Sequence, residues 1–144
     1  MKSRTALILI LIIIVLLIAH RIAKADTDWN THMQAMAKSM TCLTPLIFDN
    51  DKFNDQKNRS QIRSCVDSLS SQARSLRSRL TQHPKAGTQL EKLQRDPMLK
   101  YVAEGFFYDI EMAKSLLDSR SRPYAQKLLR GATTYCAGCH MRRD

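Results

Sequence analysis

Between Arg59 and Thr81, apolar side chains recur three or four residues apart without a break: Ile62, Cys65, Val66, Leu69, Ala73, Leu76 and Leu80. A strand would need strict alternation. This spacing instead keeps one stripe on one side of a helix. The other sides carry Arg59, Arg63, Arg74, Arg77 and Arg79, which suit water. The rest of the chain agrees with a helical fold. After residue 25 there are five Val or Ile against twelve Leu, with four Gly and four Pro. So few β-branched residues and turn formers weigh against an all-β or α/β fold. No glycine-rich phosphate loop, internal repeat or low-complexity tract occurs.

Three further helices follow from the same reasoning. The first should begin near Asp26–Asp28, with Thr27 or Asp28 as its cap. Trp29, Met33, Met36, Met40 and Leu43 form its stripe, and Pro45 should end or bend it. Residues 47–58 are polar and read as a loop. The stripe described above makes the second helix, about 58–81, broken by His83-Pro84. The third covers about 88–119, with Leu90, Leu93, Val102, Phe106, Ile110, Ala113 and Leu117 inward. Asp96-Pro97 can split off its first turns. The fourth starts at Pro123 and runs to the C-terminus through Leu128, Leu129, Ala132, Tyr135 and Cys136. Four amphipathic helices with short connections predict an all-α, antiparallel up-down-up-down four-helix bundle over residues 26–144.

Residues 1–25 read differently. Lys2 and Arg4 precede an unbroken apolar run, Ala6–Ala19, and Ala23-Lys24-Ala25 has the small-x-small pattern of a signal-peptidase site. The run spans about 21 Å as a helix, short of the ~30 Å hydrocarbon core. The reading is a signal peptide cut after Ala25, with an uncleaved N-terminal anchor as the alternative. In a bacterium the remainder then sits in the periplasm. That remainder holds 19 basic and 13 acidic residues, a net charge of +6. Export removes nucleic acid as a partner, and most of the bases are solvated helix faces.

The chemistry lies near the end of the chain, in Cys136-Ala137-Gly138-Cys139-His140. Cys-x-x-Cys-His is the attachment signal for a c-type haem. Two thiols reach the two vinyl groups of one porphyrin, and the next residue offers an imidazole to the iron. On a helix these three positions share a face. A thioredoxin-like site would need a strand before its helix. A zinc site would need a second pair of ligands. No Ser/His/Asp grouping and no paired carboxylates stand out, so the chain does not read as an enzyme.

With this motif within five residues of the C-terminus, behind a signal peptide and four helices, the chain resembles the class II c-type cytochromes, the group of cytochrome c′ and its low-spin relatives. The resemblance implies that Cys136 and Cys139 hold one haem c covalently and that His140 is the proximal iron ligand. Only Met141-Arg142-Arg143-Asp144 follows, where the family usually adds an aromatic residue. In such a bundle the first turns of the first helix face the end of the last. Low-spin members place a Met there as the distal ligand, and high-spin members an apolar side chain. Met33, seven residues before Met40, is the first choice here. Met36, His32 and an open sixth position are the alternatives, because a Met stripe is also ordinary core. Lys38 stands where the resemblance puts a basic residue, able to contact a haem propionate.

The expected function is a periplasmic monohaem electron carrier. The alternatives are a five-coordinate protein that binds NO or CO, and a subunit that keeps its N-terminal helix as a membrane anchor. Arg142 and Arg143, beside the haem end, suit an acidic redox partner or an anionic membrane surface. A homodimer through the first two helices is a further implication of the resemblance. Cys42 and Cys65 remain. Each lies on an inward stripe, about equally far from the 47–58 loop, so a hairpin sets them level. An oxidising compartment then favours a Cys42–Cys65 disulfide.

Overall fold

A computed structural model describes residues 2–82 and 89–140, with the backbone alone for 2–7, 9, 21–27 and 89. Every regular element among the described residues is helical. Helix α1 runs from Lys2 to Ile47, α2 from Asn50 to Asn54, and α3 from Arg59 to Thr81. A single 3-10 turn, Gln56–Asn58, joins the last two. Then come α4, Gln89–Arg95, α5, Pro97–Leu116, and α6, Arg122–His140.

The stripe of α3 is buried as its spacing predicts, from Ile62 to Leu80, with Ser70 the one polar addition. Asp96 caps α5, its carboxylate accepting from the Met98 N–H at 2.8 Å, and Pro97 takes the first turn. The expected split at Asp96-Pro97 is therefore present.

Two expectations need correction. The first helix does not start at Asp26–Asp28; α1 passes through these residues without a break. Leu, Ile and Ala hold helical backbone well, and no Gly or Pro intervenes before Pro45. Pro45 does stand close to the end, two residues before Ile47. Residues 47–58 are also not a plain loop. Asp49 accepts from the Lys52 N–H at 3.0 Å and starts α2, whose Phe53 is fully buried. Among the described residues, no helix is long and apolar enough to cross a membrane.

Packing runs from α1 to α3, from α3 to α5 and from α5 to α6, and α6 also touches α1. Leu43, Ile47, Phe53, Ile62, Leu69, Ile110, Leu117 and Leu129 fill the centre. Cross-helix pairs mark the register. Between α3 and α5, Arg63 meets Asp118 just past the α5 end, Asp67 meets Lys114 at 2.9 Å, and Arg77 meets Glu104 at 2.8 Å. Between α1 and α3, Ser39 and Ser68 share a hydrogen bond of 2.8 Å. Cys42 and Cys65 stand at disulfide-bonding distance, with Cα atoms 6.2 Å apart and a sequence separation of 23. The expected pairing is thus in place. Such a closure removes loop entropy from the unfolded chain. Cys42→Ala with Cys65→Ala is expected to lower stability by about 3 kcal/mol in a urea titration, and reduction of the parent protein should match it.

Where α6 begins, polar side chains reach backward for carbonyls left over at other helix ends. Buried Arg122 donates to the Leu117 and Phe53 carbonyls, both at 2.7 Å, with its guanidinium 4.6 Å from the Phe53 ring centre. Gln126 donates to the Ile47 carbonyl at 2.8 Å, and Arg130 also reaches that carbonyl. Helix ends leave such acceptors unpaired, so these residues close the α2 end of the molecule. Arg122→Met keeps most of the apolar stem but strands two buried acceptors. A loss of about 3 kcal/mol is expected in the same titration.

Candidate cofactor site

The last two turns of α6 carry Cys136, Cys139 and His140. Helical spacing of three and four puts them on one face. Both thiols are half-buried and free, without a bond to each other. Burial pushes each above the ordinary thiol range, so they are protonated near neutral pH. Among the described residues, a Cβ built on Gly138 would meet nothing within 4 Å, which leaves open space beside the motif.

These residues line a cavity of about 530 Å³. Helix α1 supplies Trp29, Met33, Met36 and Met40 to its wall, and α3 supplies Leu76 and Leu80. Leu93 comes from α4, and Leu99, Val102, Ala103 and Phe106 come from α5. Tyr135 lies beside the cysteines on α6. Among the described residues, no Asp, Glu, Lys or Arg contributes to the lining. Two of its few polar groups, the hydroxyls of Thr41 and Thr44, turn back to the carbonyls of Ala37 and Met40.

An apolar slot of this size with a few convergent polar groups suits a large flat ligand. The donor set suits a haem in particular, with two thiols for thioether links and one imidazole. Among the described residues, no three His, Cys, Asp or Glu come together to hold a bare metal ion. A macrocycle brings its own equatorial nitrogens and needs only axial ligands from the chain.

The structure brings Met33 and Met36 to the same cavity as Cys136, Cys139 and His140. It does not bring His32 there. One residue before Met33 on α1, His32 points toward α3 into a separate cleft with Gln72, Ser75 and Arg79. Its Nε2 is buried without a hydrogen-bond partner among the described residues. Burial, helped by Arg79, holds the imidazole below its ordinary pKa, although Gln72 pulls the other way. Lys38 is exposed and lies outside the lining. Arg142 and Arg143 fall outside the described residues.

One contact had no forecast. Tyr135 donates to the Asp109 carboxylate at 3.0 Å, and its ring lies against Gly105, where a Cβ would sit 3.1 Å from it. Gly105 thus lets α6 present Tyr135 to the cavity. A lone Gly inside an amphipathic helix was the available signal.

Comparison with family models, with curated proteins and with solved structures gives no match.

Proposed function

We propose that this protein is an exported monohaem c-type cytochrome of the class II kind, an electron carrier of the bacterial periplasm and not an enzyme. The observation that carries the reading is the apolar cavity in which Cys136, Cys139 and His140 meet Met33 and Met36. Residues 1–25 direct export, and the four long helices close as an antiparallel up-down-up-down bundle. The cross-helix pairs support that topology, since rising residue numbers on α3 meet falling ones on α5.

When bound, haem supplies a one-electron iron couple. The chain does the rest. Cys136 and Cys139 tether the porphyrin edge to α6. His140 would offer an imidazole nitrogen to the iron. Leu76, Leu80, Leu99 and Phe106 exclude water and so favour the less charged, reduced iron.

Helix arithmetic supports Met33 or Met36 as the distal ligand. Gln126 and Arg130 both reach the Ile47 carbonyl. From their midpoint, His140 lies about 18 Å farther along α6. The same length back along α1 from Ile47 falls between Met33 and Met36. A thioether there fills the site and raises the potential, which suits a carrier. An acidic redox protein is the matching partner for the positive charge of the exported portion.

The test is the spectrum of the purified protein from a host able to mature such cytochromes. A covalently held haem with a low-spin reduced spectrum unchanged by CO is expected. A colourless product with the bare polypeptide mass would overturn the proposal.

A further inference from the structure

The final turns of α6, from Gly131 to His140, carry the whole attachment motif, yet little polar bonding holds them to the other helices. Thr133 and Thr134 donate to carbonyls of their own helix, those of Arg130 and Gly131, both at 2.7 Å. Among the described residues, one hydrogen bond leaves this stretch for another helix, from the Tyr135 hydroxyl to the Asp109 carboxylate of α5 at 3.0 Å. The contact is closely fitted. The Tyr135 ring takes the space that a Cβ on Gly105 would crowd, and it stands edge-on to Phe106 with ring centres 6.2 Å apart. We infer that Tyr135 is a positioning residue: through Asp109 it fixes the motif-bearing turns of α6 relative to α1, and so keeps the sixth iron position closed by a Met side chain.

That role rests on the cytochrome reading above. An iron ligated by His140 rides on α6, whereas Met33 and Met36 ride on α1. Gln126 and Arg130 tie the two helices together at the Ile47 carbonyl. Arg130 and His140 are about 15 Å apart along α6, so that tie is remote from the motif. Near the motif both helices line the apolar cavity instead. Their separation there is set through α5, which packs on α6 and on α3, and α3 packs on α1. A bond between iron and a thioether forms only at contact, so it responds to small changes in that separation. With the anchor gone, the last turns of α6 swing and the thioether leaves long before the fold does.

Packing alone does not account for the hydroxyl. A Phe at 135 would supply the same ring. The hydroxyl of a half-buried Tyr needs a partner, and a carboxylate acceptor makes that bond stronger than a neutral one. The acids of α5 divide accordingly. Glu104 and Glu111 pair with Arg77 and Arg74 of α3, whereas Asp109 turns to Tyr135.

The readout is the apparent CO affinity of the purified, reduced holoprotein in the visible spectrum, because CO takes the sixth position only when the thioether leaves it. Tyr135→Phe keeps the ring and loses the donor, and a rise of about tenfold is expected. Asp109→Leu should give the same rise, and the two together no more than either alone. Asp109→Asn keeps an acceptor oxygen and should stay close to the parent. Gly105→Ala, which crowds the ring, should move in the direction of Tyr135→Phe. Arg122→Met, at the far end of α6, is the control: it costs stability but should leave CO affinity unchanged. If Tyr135→Phe and Asp109→Leu both match the parent, the inference is overturned. An equal rise in Arg122→Met also overturns it, since general loosening then explains the effect. So does a haem-bearing parent that takes up CO freely, because its sixth position is not held closed. A colourless parent instead overturns the cytochrome reading itself.

Discussion

Cys136→Ser combined with Cys139→Ser is expected to yield a protein without covalent haem. Acid-acetone extraction then removes all colour, whereas the parent keeps its pigment through denaturation. The argument rests on bond type. A thioether survives unfolding, but axial coordination and apolar contact do not. Loss of haem also leaves a cavity of about 530 Å³ without its occupant. Its wall carries Trp29, Met36, Leu80, Leu99 and Phe106, all buried core residues. Apolar surface of that kind favours collapse or local opening when nothing fills it. The double variant should therefore also melt earlier and expose its amides to hydrogen exchange near the end of α6. Each single variant is expected to keep one link and a reduced yield of pigment. Full covalent pigment in the double variant would refute the attachment site.

Met33→Ala is expected to convert a low-spin iron to a high-spin one that binds CO, with essentially complete conversion in the visible spectrum. Met33 lines the cavity from α1, in the same wall set as Cys136, Cys139 and His140. Alanine at 33 cannot reach the iron, and the space it leaves admits a small gas molecule. The reduction potential should fall as well, because a thioether favours the reduced state. Met36→Ala is the control. If Met36→Ala gives the conversion and Met33→Ala does not, the ligand is one turn farther along α1. If neither does, the sixth position is open or filled from outside the chain. Met33 is only half-buried, so its truncation should cost little stability; Met36 lies in the core, and its loss should cost about 2–3 kcal/mol.

Periodicity made much of this molecule legible. The stripe of α3, the stop and restart at Asp96-Pro97 and the level placement of Cys42 and Cys65 are consequences of spacing alone. Spacing says which side of a helix is apolar but not which neighbour covers it. That is why His32 and Met33, adjacent in sequence, were weighed together as ligands, although α1 sends one to a polar cleft and the other to the cavity. Short elements escape for another reason. The five residues of α2 are too few to show a period, and only Asp49 and Phe53 hinted at it. The reach of Arg122, Gln126 and Arg130 was invisible because long polar side chains find distant carbonyls that no local pattern announces. The pairing of Gly105 with Tyr135 was hidden in the same way, since it joins residues 30 apart in sequence on two helices.

The unbroken course of α1 has a mechanical consequence. Residues 8–18 and the Met-bearing turns belong to one stiff rod with no swivel between them. His20 and Met33 are separated by about 20 Å of that rod. Any surface that grips the first part therefore sets the height and tilt of the second. If a peptidase severs the rod after Ala25, that lever is lost and the domain tumbles freely. The new end then begins with Asp26 and Asp28, acids already suited to a helix start.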